Sequence, residues 1–318
     1  MKSLFLIHLS LFLLAALAFA QKEAVPADLE ELKHPKHPAL FKIEGKKLTK
    51  PSYLFGTIHL GDPRLTTLHP EAEKAFRAAD RFYGEIDLAP AKMLGVAGLM
   101  MRQDGATLSK SIGPELTAKL DAELKAINPA LSSAPFNPMK TWVITSQLPV
   151  LEFQFEGKQA LDFVLYDRAM KAGKEVAGLE TIESQLKIFD DLTEKEQILM
   201  LRSTLDQMAE ERKNGKNTTK RLIELYLTAA LPELGTFFKE TMVLGDDEDA
   251  AMKELNARFL KTLLDDRNLK MAQSISAALL DKPGETHFFA VGAAHYTGAT
   301  AIQDLLLKEG YTVTPLFP

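Results

Sequence analysis

Residues 53–62 read YLFGTIHLGD, and residues 288–295 read FFAVGAAH. Each is a short, β-rich apolar run that ends in Gly-x-x-His, the composition and length of a buried strand. Two further runs close in the same manner on acids: Tyr83-Gly84-Glu85-Ile86-Asp87 and Ala177-Gly178-Leu179-Glu180-Thr181. In an open α/β sheet the ligand crevice lies beyond the carboxyl ends of the strands. Four strands ending on two His and two Glu therefore predict both a fold and the edge of that fold where chemistry happens.

Working outward, Leu40–Ile43 and Ser52–Ile58 read as a hairpin, with further strands over 81–86, 174–179, 285–291 and 311–316. Apolar residues spaced at three and four predict helices over 70–80, 111–131, 141–152, 160–172, 193–213, 219–229, 232–242, 247–281 and 299–309. Short strands alternating with helices predict an α/β fold. The expected form is a small, mostly parallel or mixed sheet with extensive helical cover and a helical insertion between Glu85 and Lys174. Residues 38–318 are read as one domain, preceded by a polar, proline-containing leader at 21–37.

Residues 1–20 carry a basic start, the apolar run Leu4–Leu17 and an Ala18-Phe19-Ala20 cleavage site, a secretory signal layout. No later segment is long and apolar enough to span a membrane. A periplasmic or secreted protein is expected. The chain has no Cys, which excludes disulfide scaffolds, thiolate zinc sites and cysteine nucleophiles. Its formal charge of −5 argues against nucleic acid as a partner, since phosphate contacts need a basic surface.

His59, His295, Glu85 and Glu180, delivered from separate strands, form a donor set for one divalent ion. Neutral imidazole and carboxylate suit Mn, Co or Zn, and an open position on such an ion activates water. The same residues have plainer readings: strand-end histidines often serve as hydrogen-bonded structural groups, and acids at those positions as helix caps or sheet-edge ion pairs. Arg267, in Asp265-Asp266-Arg267-Asn268, is either a surface charge of its helix or, with that face turned to the sheet ends, the partner of a carboxylate or a developing oxyanion. His34, His37 and His69 flank prolines, and His287 lies early in its strand, where it packs or is solvated.

Taken together, YLFGTIHLGD (53–62), YGEID (83–87), GKEVAGLETIESQ (173–185), DDRNLKMA (265–272) and FFAVGAAHYTGATAIQDLLLKEGYTV (288–313) resemble the TraB/GumN family, which includes the TIKI proteases. The resemblance spans roughly residues 38–317; residues 90–160 carry no recognised motif. It implies a metal-dependent protease in which the two Gly-x-x-His histidines and a motif Glu act at the metal. Carried onto this chain, those are His59, His295 and either Glu85 or Glu180, with Arg267-Asn268 matching a further motif. The expected assignment is His59, His295 and Glu180 as metal ligands and Glu85, Glu180 and Arg267 as catalytic groups, acting on a peptide or protein substrate. The wider superfamily is also similar to metal-independent erythromycin esterases and to a haem-binding lipoprotein. An esterase-like hydrolase and a peptide- or haem-sequestering protein therefore stand as alternatives.

Overall fold

The computed structural model describes residues 32–152, 159–242 and 250–318. The signal-like residues 1–20 and most of the polar leader lie outside the described residues, as do the first three residues of the helix expected over 247–281. All six expected strands form: β1 (Leu40–Glu44), β2 (Ser52–Thr57), β3 (Arg81–Gly84), β4 (Glu175–Gly178), β5 (His287–Gly292) and β6 (Thr312–Pro315). They make one sheet in the order β4-β3-β5-β2-β1-β6. β4, β3, β5 and β2 are mutually parallel, while β1 runs antiparallel to both β2 and β6. The fold is α/β with a mixed sheet, and every parallel strand delivers its C-terminal end to the same edge.

The helices are α1 (Pro63–Thr66), α2 (Pro70–Ala78), α3 (Pro90–Val96), α4 (Leu108–Ile127), α5 (Thr141–Gln147), α6 (Leu161–Lys171) and α7 (Ile182–Asp190). They continue with α8 (Glu194–Lys213), α9 (Thr218–Thr228), α10 (Leu231–Thr241), α11 (Ala250–Leu260), α12 (Asp266–Asp281) and α13 (Ile302–Lys308). Helix α7 falls where the apolar spacing predicted none. Its start is set by Thr181, whose hydroxyl accepts the Ser184 N–H as an N-cap.

Alternation along β5 explains the layering. Phe288 and Ala290 face a core shared with Ala72, Ala75 and Phe76 of α2 and Leu161, Leu165 and Ala169 of α6. Phe289 and Val291 face the other side, against Met271, Ile275 and Leu279 of α12 and Ile302 and Leu306 of α13. A strand buried on both faces has no polar face to present, which is why its sequence reads as an unbroken apolar run. The insertion after β3 builds its own core from Leu108, Leu116, Leu120 and Leu124 of α4 against Ile144 of α5 and Leu201 and Leu205 of α8.

Between α11 and α12 the chain passes through a π-helical turn, Lys261–Asp265, without leaving the helix. Such turns widen a helix locally and concentrate at functional positions. Here the guanidinium of Arg267 turns back and donates to the Leu263 carbonyl inside that turn.

Candidate active site

Each strand end places its residue by a local device. After β5, the turn Ala293–Tyr296 is a 3₁₀ helix, in which residues three apart eclipse one another. The turn brings the His295 ring back beside Gly292, where a Cβ would lie 3.6 Å from its Cδ2. After β4, the Thr181 cap starts α7, and a little over one turn later Gln185 returns to the strand end. The parallel ladder continues past β3 and β4, with Leu179 N–H donating to Gly84 O at 3.0 Å and Glu180 N–H to Glu85 O at 2.9 Å, so the two glutamates emerge side by side.

Glu85 is the centre of the resulting cluster. Its Oε1 accepts the Gly292 N–H at 2.7 Å, and its Oε2 accepts from Arg267 Nη2 at 2.5 Å and from Gln185 Nε2 at 3.1 Å. His59 Nε2 stands 3.6 Å and His295 Nε2 3.8 Å from the same Oε1. Glu180 shares these donors: its Oε1 takes Arg267 Nε at 2.9 Å, Arg267 Nη2 at 2.5 Å and Gln185 Nε2 at 3.0 Å. The carboxylate between the two imidazoles is therefore Glu85, whereas Glu180, expected as a ligand, is engaged by the guanidinium and the Gln185 amide. Arg267 bridges both acids and also approaches His295 Nε2 with Nη1 at 3.2 Å. Of its two alternatives, the surface charge is ruled out: its side chain is only 7% exposed.

Both histidines are anchored through Nδ1. His59 Nδ1 donates to Asp162 Oδ2 at 2.7 Å, and the other oxygen of Asp162 accepts the Thr57 hydroxyl at 2.6 Å. His295 Nδ1 donates to Asn268 Oδ1 at 2.5 Å. Asp162 sits in the first turn of α6, where a negative charge is favoured by the helix dipole. Nothing in the sequence singled it out, because its role depends on a helix packing against a strand about a hundred residues earlier. Gln185 and Asn268 were present only inside the motifs of the resemblance.

Burial and charge set the protonation states. Burial opposes charge on Glu85, but the Arg267 guanidinium beside it holds its carboxyl well below the usual range. Glu180 goes the other way: burial pushes it up, and the neighbouring Glu85 charge adds to that against the pull of Arg267. Burial and Arg267 together push His295 down to about 3, so it is neutral with its Nε2 lone pair directed inward. Burial also opposes charge on His59, yet Asp162 and Glu85 outweigh it and raise its pKa to about 10. Two acids with opposed shifts, beside one neutral and one readily charged imidazole, are an acid–base site in the making.

Among the described residues, no group of three or more His, Cys, Asp or Glu side chains is arranged to hold a metal ion. The chemistry of the donors nevertheless suits one. Two imidazole Nε2 atoms and a carboxylate oxygen face each other, and each ring is fixed by an acceptor on Nδ1, the outer-shell pattern of metal-binding histidines. What stands against ligation in this arrangement is the proton on His59 and the Arg267 contact to His295 Nε2.

Gly292 keeps the space between these groups open. A Cβ there would lie 3.0 Å from Glu85 Oε1, 3.2 Å from His59 Nε2 and 3.6 Å from His295 Cδ2. Gly292→Ala is expected to push the rings apart and cost about 1–3 kcal/mol of stability, with activity falling more steeply than folding. Parallel unfolding and rate measurements check this; an alanine variant with native activity would mean that the space over Gly292 is not used.

A pocket opens onto the cluster, with His59, His295, Arg267 and Gln185 at its floor. A larger cavity, about 250 Å³, lies between α4 of the insertion and α8 and α9, beside Glu123, Gln207 and Arg212, and none of the cluster lines it.

A mixed α/β sheet carrying a buried Glu–Arg–His cluster at the C-terminal ends of its parallel strands defines the class of protein. Residues 39–315 match the TraB/PrgY/gumN family, and the chain belongs to it. Among curated proteins it is 26% identical over 307 residues to "Metalloprotease TIKI1" of Danio rerio, covering 84% of this chain and 61% of that protein. It is 26% identical over 312 residues to "Metalloprotease TIKI2" of the same organism, covering 86% and 60%. A third relative, "Metalloprotease TIKI2" of Xenopus tropicalis, is 26% identical over 301 residues, covering 83% and 57%. The chain thus spans about three fifths of the length of these relatives. No solved structure matches it. No described helix is long and apolar enough to cross a membrane.

Proposed function

We propose that this protein is an exported metal-dependent hydrolase that cleaves peptide bonds. The observation that carries the reading is the convergence of His59 Nε2, Glu85 Oε1 and the His295 ring around the unfilled space over Gly292, with both Nδ1 atoms tied down. The metalloprotease names of the relatives support the same reading. His59, His295 and Glu85 would hold the ion; Glu85 takes the place first expected of Glu180 because it alone of the two acids faces the imidazoles. A divalent ion such as Mn, Co or Zn supplies Lewis-acid activation of water and of a carbonyl.

The remaining groups divide the work. Glu180, the acid pushed up by burial, accepts the proton of the attacking water and returns it to the leaving amine. Arg267 neutralises both acids at rest, and all five of its N–H groups are engaged by Glu85, Glu180, the Leu263 carbonyl and His295. Asp162 and Asn268 orient the rings.

Elemental analysis of the purified full chain is expected to find a stoichiometric divalent transition metal. His59→Gln and Glu85→Gln should lose it, and Asp162→Asn should weaken its retention by about 10–100-fold. Peptidase activity should vanish on exhaustive chelation and return with Zn, Mn or Co. Full activity after chelation would overturn this reading in favour of a metal-independent hydrolase.

A further inference from the structure

Behind His295 a chain of hydrogen bonds leads away from the cluster. His295 Nδ1 donates to Asn268 Oδ1 at 2.5 Å, Asn268 Nδ2 donates to Thr300 Oγ1 at 3.5 Å, and the Thr300 hydroxyl donates to Asp265 Oδ1 at 2.5 Å. The direction is set from the far end. An ionised carboxyl only accepts, so the Thr300 proton is committed to Asp265 and Oγ1 turns a lone pair to Asn268. The Asn268 amino group takes that lone pair, because a side chain 1% exposed must find its acceptor inside the protein. Its carbonyl then faces His295, and the ring proton sits on Nδ1. Two segments supply the far end. Asp265 closes the π-helical turn one turn before Asn268, on the same side of the helix. Thr300 precedes Ala301, the residue that starts α13.

We propose that Asp265 and Thr300 are positioning residues that fix the tautomer of His295, holding its proton on Nδ1 and its Nε2 lone pair toward Glu85 and His59. Run in reverse, the same side chains could make as many bonds. Thr300 would donate to Asn268 Oδ1, Asn268 Nδ2 would donate to His295 Nδ1, and an Nε2–H would point into the cluster. Asp265 opposes that arrangement, since it would face a hydroxyl lone pair instead of a proton. Arg267 Nη1, 3.2 Å from Nε2, favours the same lone pair at rest, and the relay acts whether or not that contact is made. The inference stands on these hydrogen bonds and needs no ion; it rests on the hydrolase reading only for its use, which is to present Nε2 as a ligand.

The test is long-range proton–nitrogen NMR correlation of the ring nitrogens in the metal-free full chain labelled with nitrogen-15 histidine. Protonated and bare ring nitrogens resonate far apart, and His295→Gln assigns the signals. The native protein is expected to show Nδ1 protonated and Nε2 bare. Asp265→Asn keeps the shape but can donate as well as accept, and should raise the Nε2–H fraction of His295 about tenfold. Thr300→Val, which cuts the relay, should do the same, and the double variant should do no more than either alone. Thr300→Ser keeps the hydroxyl and should keep the native pattern. A native ring protonated on Nε2, single variants that retain the native tautomer, or shifts that add in the double variant overturn the inference. A chain that takes up no zinc while these tautomers change as expected fails the metal reading and upholds this one.

Discussion

Arg267→Met is expected to lower the unfolding free energy by about 3–5 kcal/mol at neutral pH, because it strands two buried carboxylates without a counter-charge. Methionine fills similar space, so the loss reports charge and hydrogen bonding rather than a void. The effect should depend on pH in a defined direction. In the native protein Glu85 titrates well below its ordinary range, so its contribution is present above about pH 4.5 and fades as pH falls further. Without the guanidinium both acids take up protons more readily, and a neutral carboxyl needs no cation. The deficit of the variant should therefore narrow toward pH 3. Urea unfolding of both proteins across pH 3–7 measures it. A variant as stable as the native chain at pH 7, or a deficit that does not change on acidification, would show that Arg267 is not the charge that balances this cluster. Adding Glu180→Gln to Arg267→Met should recover part of the loss at neutral pH, since one of the stranded charges is then gone.

In the metal-free protein, stability should fall as pH rises from about 6.5 to 10. His59 has its pKa raised to about 10, so the stability gained from its charged form is complete below its unfolded value and is lost on the way up. At about 1.4 kcal/mol per unit, the contribution is on the order of 3–5 kcal/mol. Comparing chelated native protein with His59→Gln isolates it from every other titration. The gap between the two should close across that window, and Asp162→Asn should shrink it at the acid end. A gap that stays constant from pH 6 to 10 means that His59 is not held as a cation. The same proton competes with any ion for Nε2, so metal retention is expected to strengthen with rising pH over the same range.

Much of the site was legible because strand ends are read locally. A short apolar run closed by Gly and followed by His or Glu states where a strand stops and which side chain stands at its mouth. Parallel pairing then puts those mouths together. The division of labour between the two glutamates was not legible. Glu85 and Glu180 follow their strands in near-identical contexts and both meet Arg267 and Gln185, and only the packing of the strand ends brings the two imidazoles to Glu85. Asp162 was invisible for a related reason: an Asp in a helix's first turn is commonplace, and its distinction is the His59 ring opposite.

The helical reading shows the same boundary. The long helix ending at Asp281 followed from its apolar spacing, since a face that must be buried repeats at three and four whatever it packs against. The π-helical turn within it did not, because one widened turn barely disturbs that spacing. The amino-acid order alone determined the strands, the edge of the sheet where the Glu–Arg–His cluster gathers and the residue types found there. These are consequences of alternation, periodicity and turn geometry, which act over a few neighbouring residues. Which acid meets which ring and which charge balances it were decided only by packing of distant segments, through distances and local dielectric that no short stretch of chain contains.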